Sequence, residues 1–305
     1  MRSHPAIPGL DAAAVGNPIT RLGVSFFPIY LPGNKLPEIA TGDQADCEID
    51  ELDNAAVPKL SVHNRGDRPA LLVEGEHFLG GKQNRMVNVT VLVPAATKLE
   101  IPVSCLEQGR WGRARSYRRA PSFTPAKVRS RHQRAVHASM RDAGSRRGDQ
   151  GAVWNDVHLL LDEHSMHSPT GAAADVDAVY ERDRKRSSAV EELTRGGPLP
   201  GQCGVAVAHG RWVTAIELFG APHLLRAHWS GIVRSHLIGS ASPNGRPSPS
   251  AVLSLIQRFG SLRTNAVQGV GLGVERRGEN RWLTGQALTL DQSFVHGAAF
   301  AQEAP

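Results

Sequence analysis

Ala70-Leu-Leu-Val-Glu-Gly-Glu-His-Phe-Leu-Gly-Gly-Lys-Gln-Asn-Arg-Met-Val-Asn-Val-Thr-Val-Leu-Val93 is the stretch on which the fold turns. Two apolar runs, 70–73 and 86–93, enclose a glycine-rich, charged phrase from Glu74 to Arg85. Both runs are short and rich in aliphatic, mostly β-branched residues, so each reads as a strand. The second, Met86 to Val93, is the best strand signal in the chain. Pro94-Ala-Ala-Thr97 turns it and Lys98 to Glu107 returns. Upstream, Arg21 to Leu31 is apolar and β-rich, and Lys59 to Asn64 alternates before the turn at Arg65-Gly-Asp-Arg-Pro69. Short strands roughly ten residues apart, with turn residues between them, predict an antiparallel β-sandwich-like or barrel-like sheet.

The pattern then changes. From Trp111 to Asp149 the apolar periodicity fades into Arg, Ser and Pro, which reads as a long basic loop or a weak basic helix. Asp149 caps a helix carrying Val153, Trp154, Val157, Leu160 and Leu161 at helical spacing. A second helix is expected from Ala174 to Leu193. Gly204 to Phe219 reads as a hairpin turning at His209-Gly210. Pro222 opens a helix to Leu237, and Ser248-Pro249 opens another that stops at Gly260. Strands are expected at 267–275, 281–290 and 293–300. The whole is α+β: an N-terminal antiparallel β-sandwich-like sheet, a central helical segment, and a C-terminal region of mixed hairpins and helices. The parts divide as 15–111, a basic loop or linker at 112–149, a helical segment at 150–195, and an α+β part at 202–300. The alternative is one composite domain, 15–300.

Charge is concentrated. The net charge is +6, yet Arg110 to Arg147 holds twelve basic residues against one acid, Asp142. Such a segment suits an anionic partner, or it pairs with the acidic remainder of the chain. Three cysteines in 305 residues do not make a disulfide framework. No run approaches the ~18 apolar residues of a membrane span. The opening MRSHPAIPGL lacks the apolar core of a secretory signal. These readings predict a cytoplasmic protein with reduced thiols and no membrane partner.

Two phrases carry chemistry. In Glu74-Gly-Glu-His-Phe-Leu-Gly-Gly-Lys-Gln-Asn-Arg85, an extended backbone would put Glu74 and Glu76 on one face, where two carboxylates raise one another's pKa. Gly75 between them lets another chain or a ligand approach closely. Gly80 and Gly81 can offer backbone N–H groups to an anion, with Lys82 and Arg85 adding charge. In Val103-Ser-Cys-Leu-Glu-Gln-Gly-Arg-Trp111, Cys105 and Glu107 share a strand face. A carboxylate beside a thiol can act as its base but raises its pKa, so a nucleophilic Cys105 needs a cation such as Arg110 or Lys82. The other reading of Cys105 is a small buried hydrophobe. The histidines are scattered, with no HExxH or CxxC, so no metal site is named. Without GxGxxG, GxSxG or a P-loop, no cofactor is implied.

GGKQNR before a strand, followed by IPVSCLEQGRW, resembles the ARG and rhodanese-phosphatase-superfamily-associated protein domain, a bacterial family of unknown function. Gln150-Gly-Ala-Val-Trp154, Ser168-Pro-Thr-Gly171, Ile216-Glu-Leu-Phe219 and Gly285-Gln-Ala-Leu288 extend the resemblance to most of the chain. It brings Gln150 and Trp154 into the set of family-like polar positions. The family's name implies association with ADP-ribosylglycohydrolase and so, by context, NAD or ADP-ribose metabolism. The resulting expectation is an ADP-ribose-like or NAD-derived ligand. Gly80, Gly81, Lys82, Arg85 and Arg110 would hold its diphosphate, Gln83 and Asn84 its ribose hydroxyls, and Trp111 a ring. Glu76 or Glu107 would act as general base on water, preferred over Cys105 as nucleophile because no histidine stands beside it. The alternatives are a non-catalytic sensing module and nucleic-acid or phosphate binding through Arg113 to Arg147.

Overall fold

A computed structural model of the chain describes residues 7–52, 57–112, 116–239 and 245–302. The elements are those of an α+β protein with antiparallel sheets and a helical middle segment. The largest sheet runs in the order Ala14–Val15, Val24–Tyr30, Gly204–His209, Trp212–Phe219, Ser293–Ala301, Leu283–Leu290, Val274–Glu279, Asn265–Gln268, with Ile19–Arg21 also pairing Val24–Tyr30. Three strands from the N-terminal third therefore join a sheet otherwise built from residues 204–301, through Val24–Tyr30: Phe27 pairs with Ala206. The smaller sheets are Arg118–Arg119, His77–Leu79, Arg85–Val87, Thr97–Cys105, Lys59–Asn64, Cys47–Asp50 and Val91–Val93, Ala70–Leu72, Ala40–Thr41. They share one apolar core, with Leu60, Val62, Val87 and Ile101 from the first and Ala70, Leu72, Val91 and Val93 from the second.

Alternation on the large sheet explains its two cores. Val205 and Val207 face one cluster and Ala206 and Ala208 the other, as the two-residue strand period requires. The first cluster also takes Leu71, Val73, Met86 and Leu92, so the smaller sheets pack onto the large one through continuous apolar contact. The helices are α1 (Ala126–Ala143), α2 (Gln150–Glu163), α3 (Val179–Arg182), α4 (Arg184–Gly196), α5 (Pro222–Leu237) and α6 (Pro249–Gly260). Helices α2, α4 and α5 contribute to the first cluster, and α6 covers the opposite face through Val252, Ile256 and Phe259.

The expected Met86 to Val93 strand is two strands in two sheets, Arg85–Val87 and Val91–Val93. β-Propensity favours continuity, but buried polar partners win. Asn88 is held by His132 Nε2 at 3.0 Å and donates to the Arg146 carbonyl at 3.0 Å. Thr90 meets His296 Nδ1 at 2.8 Å. The expected single helix from Ala174 to Leu193 is a 3-10 turn, Ala173–Ala178, then α3 and α4. Asp183 leaves helical geometry and caps α4 by accepting from the N–H groups of Lys185 and Arg186, the usual competition between Asx side chains and the helix interior. The expected strand at 267–275 is a hairpin of Asn265–Gln268 and Val274–Glu279.

Within the basic segment, of the two readings, loop or basic helix, residues 126–143 form the helix. Its inner face is Val128, Arg129, His132, Gln133 and Val136, all buried. Three polar residues stand where apolar ones would mark the period, because their partners are buried too. The Arg129 guanidinium donates to Glu74 Oε2 at 2.8 Å and Glu217 Oε1 at 2.5 Å, and all three side chains are fully inaccessible. It also lies over the rings of Phe123 and Phe300. Gly75, at φ +87°, turns directly above it, and a Cβ there would run into the Arg129 side chain. Arg113 and Arg115 lie outside the described residues.

Removing one member of a buried ion pair strands the others and costs roughly 3–5 kcal/mol. Arg129→Met is expected to lose stability on that scale in urea unfolding. Adding Glu74→Gln and Glu217→Gln to it should return a good part of the loss, since the stranded carboxylates are then gone. Equal stability of Arg129→Met and the unsubstituted protein would show that the triad is not what holds α1 to the sheets.

Candidate functional site

The two phrases singled out by sequence come together, and their polar atoms are mostly spent on one another. The Gly80 N–H donates to Asn84 Oδ1 at 3.1 Å. Arg110 donates to the carbonyls of Gly81 and Gly80 at 2.9 and 3.0 Å and pairs with Glu107 at 2.6 Å. The carbonyl of Ser116 and the ring of Tyr117 occupy the space that side chains on Gly80 and Gly81 would need. The Lys82 N–H goes to Glu51 Oε1, and its ammonium sits over exposed Trp111. Gln83 donates to the Glu107 carbonyl at 2.8 Å. Arg85, fully buried, donates to Gln83 Oε1 and Cys105 Sγ. Gln150 grips the Cys105 backbone at both ends, accepting its N–H at 2.8 Å and donating to its carbonyl at 2.9 Å. Trp154 is half-buried on α2, its indole N–H inaccessible and without a hydrogen-bond partner.

The reactivity of these groups follows from that packing. Burial raises the Glu107 carboxyl, but hydrogen bonds from Arg110, Thr170 and the Asn84 N–H outweigh it and hold the group below its ordinary value. Burial pushes the Cys105 thiol up despite the neighbouring Arg85, which leaves little thiolate at neutral pH. None of the five principal clefts among the described residues is lined by Gly80 to Arg85, Cys105, Glu107 or Arg110.

Glu76 is different. Residues 73–76 make a tight turn closed by the Glu76 N–H on the Val73 carbonyl at 3.0 Å, so the backbone is not extended there and the two carboxylates part. Glu74 goes inward to Arg129. Glu76 lines a cleft of about 470 Å³ with His77, Arg118, Arg119, His228 and Arg234. The floor is a run of small residues on α5, Ala227, Ser230 and Gly231, and the far wall is the 3-10 turn Gly42–Gln44 through Gly42 and Asp43. Glu76 accepts the Val73 N–H at 2.6 Å and an Arg119 hydrogen bond, and lies 3.8 Å from His228 Nδ1. Thr41 gives its proton to the Leu71 carbonyl at 2.9 Å, so it serves as acceptor for His228 Nε2 at 2.7 Å. This assigns the Nε2–H tautomer and leaves Nδ1 bare beside Glu76.

The histidines are neutral donors or acceptors. Burial, with Arg119 adding, lowers His228 to about 3; burial, with Arg118 adding and Glu107 opposing, lowers His77 to about 4. His77 Nε2 is buried without a hydrogen-bond partner. No described carboxylate lies within ion-pair distance of Arg118 or Arg234, and Arg234 rests on the Tyr180 ring. The cleft thus sets three guanidiniums against Glu76 and Asp43, an arrangement that attracts an anion. Among the described residues no three His, Cys, Asp or Glu side chains gather as a metal would require, and no helix is long and apolar enough to cross a membrane.

Fold and cleft together define an α+β protein with a cationic cleft at the junction of its sheets. A family model, the ARG and Rhodanese-Phosphatase-superfamily-associated Protein domain, matches residues 12–300, and the chain belongs to that family. No curated protein and no solved structure matches it.

Sequence reasoning missed the other half of the cleft. Ala227, Ser230, Gly231 and Arg234 recur at i, i+3, i+4 and i+7, one helical face, and a small-residue face ending in an arginine was the available signal. Arg118 and Arg119 were seen only as part of the basic segment.

Five buried histidines make stability acid-sensitive. His77, His132 and His228 fall to about 4, about 4 and about 3, and His236 and His296 lie well below their ordinary value, burial being the largest cause for each. Their folded pKa values are below the unfolded value of about 6.5, so the unfolded chain takes up protons first. Stability is then full above about pH 7 and falls as pH drops toward 4, by up to about 1.4 kcal/mol per pH unit for each histidine. Urea midpoints at pH 7.5, 6 and 5 should decline steeply. A midpoint flat from pH 7.5 to 5 would mean that these rings are not held neutral.

Proposed function

We propose that the protein binds an ADP-ribose-like or NAD-derived metabolite in the cleft between Glu76 and Arg234, as a ligand-binding module of its family. The observation that carries this reading is the convergence of Arg118, Arg119 and Arg234 on one cleft whose wall holds a buried, unpartnered histidine nitrogen. Guanidiniums suit a diphosphate, with forked donors and charge-assisted hydrogen bonds. His77 and the bare His228 Nδ1 suit ribose hydroxyls or a base edge. The volume lies in the range of small-molecule sites. The family name supplies the nucleotide context. The seat of the phosphates differs from the first expectation: the Gly80–Arg85 loop with Arg110 becomes the frame behind the cleft.

A hydrolytic reading is favoured by one observation, the Glu76 carboxylate 3.8 Å from His228 Nδ1 on the cleft wall. Against it, Glu76 already accepts from Arg119 and Val73, which weakens it as a base, and Glu107 and Cys105 are committed elsewhere. The nucleic-acid reading draws less support. Among the described arginines of the basic segment, Arg129 is buried, and Arg131, Arg141 and Arg146 pair with Asp156, Asp142 and Glu275, so much of the segment's charge is already matched within the chain.

ADP-ribose at one hundred times its dissociation constant should stabilise the protein by about 2.7 kcal/mol, visible as a thermal shift. Arg118→Gln and Arg234→Gln should each weaken binding about tenfold, the worth of one charge-assisted hydrogen bond. Glu76→Gln should keep binding, with no product from either protein by chromatography. Product from the unsubstituted protein that disappears in Glu76→Gln would establish the hydrolase instead. No shift with ADP-ribose or NAD would sink both.

A further inference from the structure

A second cleft, sharing no lining residue with the first, opens where α1 meets α5 and the end of the large sheet. Its volume is about 460 Å³. The solvent side of α1 supplies Lys127, Ser130, Arg131 and Arg134 at i, i+3, i+4 and i+7, all facing this space. Arg131 is tied to Asp156 and Lys127 stands 3.9 Å from Glu163. Arg134 has no described carboxylate within ion-pair distance. Apolar side chains line it too: Leu160, Ile238 and Phe300.

At the base of the cleft is His236. It is about 1% exposed, and neither ring nitrogen has a hydrogen-bond partner. Its Nε2 is 4.0 Å from Glu217 Oε1, beyond hydrogen-bonding range. A buried polar group left unmade is costly, and a ligand oxygen reaching the ring would satisfy it. Cations, an unsatisfied imidazole and apolar side chains thus line one cleft, a combination that suits a ligand with an anionic head and an apolar body.

We propose that this cleft is a second binding site, and that it takes a phosphate monoester bearing an apolar or aromatic group. Lys127, Arg131 and Arg134 face two acids, Glu163 and Asp156, which leaves Arg134 uncommitted, and its forked guanidinium suits a phosphate. The phosphate lies under Arg134 and Lys127 with one oxygen toward the His236 ring. The organic group lies against Leu160, Ile238 and Phe300. The site stands apart from the nucleotide cleft, and its existence does not depend on that reading. It also gives the basic segment a use that its sequence left open: one face of α1 holds the fold together and the other presents the charge.

The test is isothermal titration calorimetry of the full chain with phenyl phosphate, with inorganic phosphate as comparison. Phenyl phosphate should saturate one site and bind more tightly than inorganic phosphate, because only the ester uses the apolar side chains. Arg134→Gln should weaken phenyl phosphate about tenfold, and Ser130→Glu, which puts a negative charge on the same rim, at least as much. Both positions are on the outer face of α1, so folding is checked simply by circular dichroism. Arg118→Gln in the other cleft should leave phenyl phosphate binding unchanged, and Arg134→Gln should leave the response to ADP-ribose unchanged. Absence of saturable binding would overturn the proposal. So would binding insensitive to Arg134→Gln and Ser130→Glu, or binding lost in Arg118→Gln, which would put the ester in the first cleft.

Discussion

The buried contact of Arg129 with Glu74 and Glu217 is the constraint from which the rest of the structure follows. Glu74 lies in the turn joining two strands of the small sheets, Glu217 in the large sheet and Arg129 on α1. One guanidinium thus ties three parts of the chain that are far apart in sequence. Burial and the neighbouring Glu74 push the Glu217 carboxyl up although Arg129 opposes this, and a proton there would leave the group of three electrically neutral. Such a cluster is a weak source of net stability compared with apolar packing, but an exacting source of register. It specifies Gly75, since no other residue combines φ +87° with the space the guanidinium occupies. Through Gly75 it sets the turn that sends Glu74 inward and Glu76 outward.

Where local chemistry decides, the sequence was a sound guide. The hairpin 204–219 turns as its glycine signalled, with His209 paired to Trp212. Helices α2 and α6 begin at Asp149 and Ser248, whose side chains accept the N–H groups of Ala152 and Ala251, and Pro222 opens α5. Where distant partners decide, it was silent. Met86 to Val93 is β-prone throughout, and nothing local says that Asn88 would find His132 or that Thr90 would find His296. The inner face of α1 looks polar until its buried acceptors are known. The clustering of Gln83, Asn84, Arg85, Cys105, Glu107, Arg110 and Gln150 was legible. That the cluster is closed on itself was not, because the lid over Gly80 and Gly81 is Ser116-Tyr117, and the cleft beside Glu76 needs α5, some 150 residues on.

That closure has a mechanical meaning. A loop with two glycines and two charged residues is intrinsically costly to order. Here Arg110 spans two carbonyls, an amide and a carboxylate, and Gln150 pairs with the Cys105 backbone as a neighbouring strand would. The loop is therefore a fixed wall. Strand His77–Leu79 is bordered by Arg85–Val87 on one side and Arg118–Arg119 on the other. Rigid support on both sides of the strand holds Glu76, His77 and Arg119 in place, and a binding site needs such support more than it needs additional polar groups.

The electrostatics of the interior then explain why both clefts have the same construction. Burial is what chiefly holds the interior histidines neutral, and neighbouring basic groups add to it: Arg277 and Arg129 at His132, His209 and then Arg129 at His236, Arg129 at His296, Arg119 at His228 and Arg118 at His77. A neutral imidazole deep in a cleft gives direction without charge, since it can donate or accept but brings no counter-ion with it. The net positive charge stays at the rims, on Arg118 and Arg234 at one cleft and on Lys127 and Arg134 at the other. On the proposed reading, an anion is drawn by the rim and oriented by the ring beneath it. The central Arg129 cannot itself take the ligand, because it is fully inaccessible and already paired with two carboxylates. Its part is structural: it joins α1 to both sheet systems, and the walls of both clefts are set by elements that it holds in register.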